Sequence, residues 1–517
     1  MASGFIVRKN QYYDSVFLMG VSNRLSKMEG IQQTAVLMAS EKNKKLLADI
    51  GVHGDEIVSA QPNDLIVAVI ADSPQIIEAV FANLDQTLRY QEEGAPISHI
   101  HTVEESLAEK PTANLAVFSI PGEYVFREAM KALEANLNVF IFSSNVPLEE
   151  ELELKQFASK HNLFVMGPDC GTSIIGGVGI GFANAVRRGT IGVIGPSGTG
   201  LQEFTSQVHN AGYGISHAIG TGSHDLSDEI GGITTALALE ALEVDDQTMA
   251  IAIIAKPPGK KTLQQLVTRL KYFTKPVVAC FLGVSSEQIN THSEIIWTHK
   301  IDGAVQSVIQ IVSHREISPA IQLTEEEREH ARKIRDNLSP EQCYLRGLFA
   351  GGTFCYQSQQ ILLDQGIEVY SNAPIKSDSK LPHPDQSFKH TLIDMGDDAY
   401  TLGRPHPMID GSIRKQRILT ESQDPSVAIL LLDFILGYNA SSDPVGDLLD
   451  AIVEAKQRKQ NDLGDLTIVA SICGTLEDPQ ELDLQTKLLQ EAGVIVFNSN
   501  ARAALFCCEL LKEIEEV

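Results

Sequence analysis

Apolar residues along this chain gather in short unbroken runs, and most runs are followed by a stretch with the helical repeat. Runs of that length with no polar alternation predict strands buried on both faces, and hence parallel sheet covered by helices. Residues 1–95 carry the runs Phe5–Val7, Ala35–Met38 and Leu65–Ile70 and a helical pattern over Gln75–Leu88, which predicts a small N-terminal α/β module. The polar stretch Tyr90–Thr112 has charge, Gly and Pro without periodicity and reads as a linker. Leu115–Ile120, Glu123–Ala135, Val139–Phe142, Leu148–Lys160 and Leu163–Met166 then alternate strand with helix, a Rossmann-like βαβ unit over 113–186 that ends before Arg187-Arg188-Gly189. Two further blocks repeat one plan. In 189–318 the strands are Thr190–Ile194, Ser216–Ile219, Ala250–Ala255 and Val277–Leu282. In 340–517 they are Tyr344–Phe349, Ile367–Tyr370, Val427–Asp433, Leu466–Ser471 and Val494–Phe497. The expected fold is therefore α/β, with two flavodoxin-like domains of parallel sheet, and the Glu- and Arg-rich segment Leu323–Leu338 predicts a charged helix joining them.

Composition narrows the function classes. A chain of 517 residues, 43% hydrophobic and 21% charged, is too long for one core and needs no covalent staple. Its 7 cysteines are scattered in or beside apolar runs without metal-ligand spacing, so they read as reduced buried thiols and no metal site is expected. The amino terminus lacks the apolar stretch of a signal peptide, and no run approaches the roughly 20 apolar residues of a membrane span, which predicts a cytoplasmic protein. A formal charge of −26 repels a phosphate backbone and argues against nucleic acid. An anionic ligand must then be held by local geometry.

Several loops offer such geometry. In Ile191-Gly-Val-Ile-Gly-Pro-Ser-Gly-Thr-Gly200 a buried strand ends in a Gly-rich turn that feeds the helix Leu201–Ala211, where backbone N–H groups point off the helix start. Ser197 and Thr199 add hydroxyls, Gly198 and Gly200 allow close approach, and the lysine of a P-loop is missing. The turn is either an anion site or an ordinary Ser-capped helix start. The same arrangement recurs at Ala350-Gly-Gly-Thr353, at Gly437-Tyr-Asn-Ala-Ser-Ser-Asp-Pro444 and at Gly474-Thr475, each directly after an apolar strand. Gly259-Lys-Lys-Thr262 and Gly177-Val-Gly-Ile-Gly181 are weaker imitations. The segment Ile393–Asp410 is neither helical nor alternating. Its Arg404 and His406, stiffened by Pro405 and Pro407, either read a carboxylate and polarise a carbonyl or belong to a structural loop.

The turn Gly167-Pro-Asp-Cys-Gly171 followed by Gly195-Pro-Ser-Gly-Thr199 resembles the signatures of the succinyl-CoA synthetase α subunit, and Ala350-Gly-Gly-Thr353 with Phe434-Ile-Leu-Gly-Tyr-Asn439 resembles the carboxyl-terminal domain of its β subunit. The fusion of these parts, with Ala255-Lys-Pro-Pro258, Ile393-Asp-Met-Gly-Asp-Asp398 and Gly403-Arg-Pro-His-Pro-Met-Ile-Asp410, is similar to the FdrA family over nearly the whole chain. Two departures from the synthetases bear on chemistry. Residues 1–95 lack the Gly-rich coenzyme A loop, which argues against coenzyme A. The loop after Lys275-Pro-Val-Val278 reads Ser285–Ser293 without glycines beside His292, which argues against a phosphohistidine there.

The resemblance implies a subunit of an oxamate carbamoyltransferase of allantoin and purine catabolism, working with AllG-like and AllH-like subunits and linked to carbamate kinase. It implies phosphate or carbamoyl phosphate as substrate and requires no further cofactor. For that reaction the loops read above predict a site in which Ser197, Gly198, Thr199 and Gly200 hold phosphate and Gly437, Asn439 and Ser441 face it, while Arg404 and His406 are catalytic. A nucleotide-dependent acyl-CoA ligase using His292 and a non-catalytic scaffold are the alternatives, and homo-oligomerisation is left open.

Overall fold

The computed structural model describes residues 2–11, 13, 15–26, 28, 30–40, 43–44, 47–48, 51–89, 100, 102–284, 295–315, 322–401, 404–462 and 465–512. The chain divides into two compact units, Met1–Ala113 with Leu402–Pro405, and Asn114–Thr401 with His406–Val517.

In the first unit β1 (Ala2–Arg8), β2 (Ile31–Met38) and β3 (Leu65–Ala71) form an antiparallel sheet in the order β1-β3-β2. The central β3, Leu-Ile-Val-Ala-Val-Ile-Ala, is the most apolar of the three because both its faces and both its edges are covered. The helix Pro74–Arg89 packs on β1 and β3. The stretch read as a linker contains a helix, Val103–Glu109, started by Thr102, whose hydroxyl accepts from Glu105 N at 3.1 Å. None of its residues is buried, so it leaves no apolar repeat to find.

The second unit opens with β4 (Leu115–Phe118), β5 (Asn138–Ile141) and β6 (Val165–Met166), a three-stranded parallel sheet that is the expected βαβ unit. Next come β7 (Thr172–Ile175) and β8 (Val178–Gly181), an antiparallel hairpin turned by Gly176 and Gly177 at φ 61° and 89°. A Gly-Gly pair between two short runs is a hairpin signal, and the run Gly177–Gly181, a weak imitation of a helix-start loop that opens no helix, enters the second strand.

The first lobe consists of β9 (Arg188–Gly195), β10 (Ile215–Gly220), β11 (Ala250–Ala255), β12 (Val277–Phe281) and β13 (Ile295–Thr298), whose parallel order is β13-β12-β11-β9-β10, with the hairpin on its edge. The second lobe consists of β14 (Tyr344–Phe349), β15 (Thr391–Asp394), β16 (Val427–Ile435), β17 (Thr467–Cys473) and β18 (Ile495–Phe497), in the order β15-β14-β16-β17-β18. Counted within each lobe, both sheets run 2-1-3-4-5, the flavodoxin-like order. Alternate residues of one strand serve opposite cores: Ile429 and Leu431 join one apolar cluster, Leu430 and Leu432 the other.

The second strand of this lobe is not Ile367–Tyr370. Only Tyr370 touches the sheet, through a bridge to Thr391, while Thr391–Asp394 pairs with β14 and is fully buried. His390-Thr-Leu-Ile-Asp394 is shorter and more polar than a typical apolar run, and an edge strand of four residues needs no more.

Candidate active site between two helix starts

Each lobe sends its first strand into its first helix through a Gly-rich turn. β9 feeds the helix Gly198–Asn210, and β14 feeds the helix Gly352–Asp364. The two turns abut. Ser197 caps its own helix by accepting from Gly200 N at 2.9 Å, and its Oγ is hydrogen-bonded to Thr353 Oγ1 of the other turn. A Cβ on Gly351 would stand 3.1 Å from the methyl and hydroxyl of Thr199. Two helix starts, with the positive ends of their dipoles, therefore lie side by side at the crevices where each strand order reverses.

The second turn is fixed from beneath by an internal anion. Asp433, fully buried on β16, accepts from Ala350 N at 2.8 Å and Gly351 N at 2.7 Å and pairs with Arg414 at 2.9 Å. Burial pushes this carboxyl up, and Arg414 and the two amides oppose that. Arg414 donates as well to Leu348 O at 3.0 Å, so the cation is held by the backbone it supports.

Titratable groups crowd the mouth of the two turns. Asp394, at the end of β15, lies on the second helix start: a Cβ on Gly352 would be 2.4 Å from its Oδ2. Its Oδ1 accepts from Gly396 N at 3.0 Å. Burial raises its pKa to about 6 against the pull of Lys256, with Asp397 adding to the rise. Lys256 stands one residue past β11, its Nζ 5.4 Å from the Tyr356 ring of the opposite lobe.

His406 completes the group. Its Nδ1 accepts from Met408 N at 3.2 Å, which leaves the proton of a neutral ring on Nε2. Burial and nearby Arg414 lower its pKa to about 4, so the ring is neutral at physiological pH. Around the missing Cβ of Gly396 stand His406 Nε2 at 2.8 Å, Ala350 O at 2.9 Å and Asp394 Oδ1 at 3.3 Å. A neutral N–H donor and a carboxyl titrating near neutrality thus flank one point.

Asp169, in the Gly-Pro-Asp-Cys-Gly turn, is exposed, yet its surroundings push its pKa up, and Ser223 and His224 oppose the shift. His224 is raised by its hydrogen bond to Glu151, which sits beside the fully buried Lys155 and Asp225.

The residues expected from sequence fall in different places. Ser197, Gly198, Thr199 and Gly200 form the first helix start. The loop with Gly437, Asn439 and Ser441 does not face them; Gly351–Thr353 does. That loop instead docks on the hairpin, with Tyr438 N donating to Ala183 O at 2.8 Å and Asn439 Nδ2 to Gly181 O at 2.7 Å, and Ser441 is bonded to Asp447. Arg404 is exposed and groups with the first unit, whereas His406 belongs to the second. His292 lies outside the described residues. Sequence reasoning named Ala350-Gly-Gly-Thr353 as an anion loop without pairing it with Ser197, and it passed over Lys256 and Asp394 as site residues. Each follows a strand by one to four residues or ends it, the one signal that marked them.

Comparison with known proteins bears on these parts. The model of the CoA-ligase family matches residues 348–507, that of the CoA binding domain 186–280, and that of the AllF, heavy metal-associated domain 1–103. The uncharacterized protein YahF of Escherichia coli (strain K12) is 37% identical over 100% of both chains. The succinate–CoA ligase [ADP-forming] subunit alpha of Methanothermobacter thermautotrophicus is 26% identical over 36% of this chain, which spans 63% of that subunit. Among solved structures, the dinucleotide forming acetyl-coenzyme A synthetase 1 of Ca. Korarchaeum cryptofilum in its apo form aligns over 77% of this chain and 82% of that one, at 18% identity and a TM-score of 0.28.

Two groups implied by these names can be tested against the residues present. A heavy metal needs soft donors. The segment after β1, Lys9-Asn10-Gln11-Tyr12-Tyr13-Asp14, has no thiol, all seven cysteines are buried in the second unit, and no cluster of His, Cys, Asp and Glu among the described residues suits a metal. The donor set does not fit. A coenzyme A diphosphate needs amides at the first strand-to-helix turn of its Rossmann-like half. Here that turn is Ser119-Ile120-Pro121-Gly122: Pro121 has no N–H, and the space beside Gly122 is closed by the carbonyls of Asn145 and Ser144 at 2.4 and 2.5 Å from a Cβ position. Carbonyl oxygens repel an anion, so that turn does not fit it; the segment that the CoA binding domain model matches, 186–280, opens instead with the Gly195–Gly200 turn. With 37% identity to YahF over the full length of both chains, and with its own matches to AllF-type, CoA-binding and CoA-ligase domains, the chain belongs to the FdrA family, built on succinyl-CoA synthetase-like domains.

Proposed function

We propose that this chain is the subunit of an oxamate carbamoyltransferase that brings phosphate to the carbamoyl group, converting oxalurate and phosphate to oxamate and carbamoyl phosphate in allantoin and purine catabolism. The observation that carries the reading is the abutment of the helix starts at Ser197–Gly200 and Gly351–Thr353 beside Lys256 and a neutral His406. Two helix starts and one ammonium favour a dianion despite the net negative chain. The neutral imidazole donates from Nε2 to the carbonyl oxygen as charge develops there, a role for which a low pKa is an advantage because the ring stays neutral throughout. Transfer of a carbamoyl group to phosphate needs positioning and oxyanion donors and no covalent phosphoenzyme.

Co-expression with AllG-like and AllH-like subunits, co-purification and an assay for carbamoyl phosphate from oxalurate and phosphate test the reading. Product is expected only in the assembled complex, and a complex that makes none refutes it. The match to the CoA-ligase family supports a second reading, a nucleotide-dependent acyl-CoA ligase. Labelled ATP would then leave an acid-labile, base-stable phosphoryl group on the protein, and a carbamoyltransferase leaves none.

A further inference from the structure

We infer that Asp394 is the residue that carries the proton from phosphate to the departing amide nitrogen, from its seat on the Gly352 helix start beside the point that His406 Nε2 also flanks. The inference rests on the carbamoyl-transfer reading above. An oxygen of HPO4²⁻ attacks the ureido carbonyl carbon of oxalurate, forming the P–O–C bond, and its proton passes to the Asp394 carboxylate. The carbonyl oxygen takes the displaced electron pair and is held by His406 Nε2–H. Collapse restores the carbonyl and breaks the C–N bond, and the Asp394 carboxyl gives its proton to that nitrogen. Oxamate leaves as its neutral amide, carbamoyl phosphate keeps the charge of the phosphate, and the carboxylate is regenerated. No other reactant is needed.

The neighbouring groups are unsuited to this step. His406 Nδ1 is occupied by the Met408 amide and Nε2 already holds a proton. Lys256 as an ammonium has no lone pair to accept with. Asp433 is saturated by two backbone amides and Arg414. Asp394 has one oxygen engaged by Gly396 N and the other against a glycine Cα, and it is faced by Lys256, Asp397 and Asp433. Its pKa of about 6 suits a group that must both take and return a proton near neutrality.

The test uses the full chain in complex with its partner subunits, with kcat and the KM for phosphate measured between about pH 5 and 9. The unaltered complex is expected to lose kcat as pH falls through about 6, since protonated Asp394 cannot accept. Asp394→Asn is expected to lower kcat by about 10²- to 10⁴-fold, to leave the KM for phosphate within a few-fold, and to abolish the acid limb. Asp394→Glu, which keeps a carboxyl, is expected to retain the limb at reduced kcat and covers the case in which the Asn variant does not fold. An Asp394→Asn complex with unaltered kcat, or an acid limb that is lost in Asp169→Asn and kept in Asp394→Asn, overturns the inference. No product from the unaltered complex refutes the reading itself, and the inference with it.

Discussion

Glu203 and Gln357 occupy the same turn of the two facing helices, and each accepts the first backbone N–H of the other lobe's last helix. Glu203 Oε1 takes Asn500 N at 2.8 Å, opening the helix Asn500–Leu511, and Gln357 Oε1 takes Ile301 N at 3.0 Å, opening the helix Ile301–Ser313. Both stand five residues beyond the helix-starting glycines Gly198 and Gly352. The lobes are thus joined by a pseudo-twofold exchange of caps, which sets the two helix starts against each other and builds the anion site. The exchange is unequal in charge, because one partner is an acid and the other an amide.

That inequality has a pH signature. Burial and neighbouring Asp302 push the Glu203 carboxyl well above its ordinary 4.5, and burial pushes Asp302 up as well. The folded state therefore holds protons that the unfolded chain releases, so stability falls as pH rises from about 4.5 through the raised values. Glu203→Gln, which preserves the cap on Asn500, is expected to flatten this fall in thermal melts between pH 5 and 9. A variant whose melting temperature drops as steeply as the parent's would count against it. Gln357→Glu adds another buried carboxyl and is expected to cost about 1–3 kcal/mol near pH 8.

Removing Asp433 strands a buried guanidinium and two amides together. Asp433→Ala is expected to lower unfolding free energy by about 3–5 kcal/mol, measured by urea denaturation. Asp433→Asn, which retains an acceptor, should cost less. Equal losses would mean that the charge on Arg414 is not what Asp433 balances.

Gly396→Ala tests the point flanked by His406 and Asp394. The added carbon would meet His406 Nε2 at 2.8 Å and Ala350 O at 2.9 Å, so the imidazole must move. A displacement on that scale is expected to lower carbamoyl phosphate formation by about 10²-fold with the secondary structure intact by circular dichroism. Activity within twofold of the parent would show that the ring position is immaterial.

His406 should not titrate in the physiological range. Its Cε1–H resonance is expected to stay constant from pH 5.5 to 8, because burial and Arg414 hold the pKa at about 4. His406→Ala is expected to reduce kcat by about 10²- to 10³-fold, the usual effect of deleting one oxyanion donor. A titration midpoint near 6.5 would remove the neutral-donor role.

The first unit is expected to bind no soft metal. Titration with zinc or copper(I) should give no one-to-one complex at that unit, and a chelator should leave the melting temperature unchanged. A stoichiometric site lost on replacing residues in Lys9–Asp14 would contradict the donor chemistry read there.

Much of the architecture was legible because buried parallel strands must be apolar at every position. Ala250–Ala255 and Tyr344–Phe349 were found at their observed bounds for that reason. β15 and the hairpin were not. Thr391–Asp394 is four residues long with a polar residue at each end, and the hairpin's strands are equally short, the first opening on two hydroxyl residues and the second half glycine, so neither gives a run to recognise.

For the site, sequence determined the ingredients. A strand, a Gly-rich turn and a Ser-capped helix make an anion-binding start wherever they occur, because hydrogen-bond donors at a helix start depend on local backbone alone. Which starts meet is a different matter. Gly437 looked as suitable a partner for Ser197 as Gly351, and only the packing of two lobes sent the former to Ala183 and the latter to Thr199. The same holds for Asp394 and His406, whose proton affinities come from burial and from charges supplied by other strands. Burial and long-range charge are properties of the assembled sheet edges, and no local pattern encodes them.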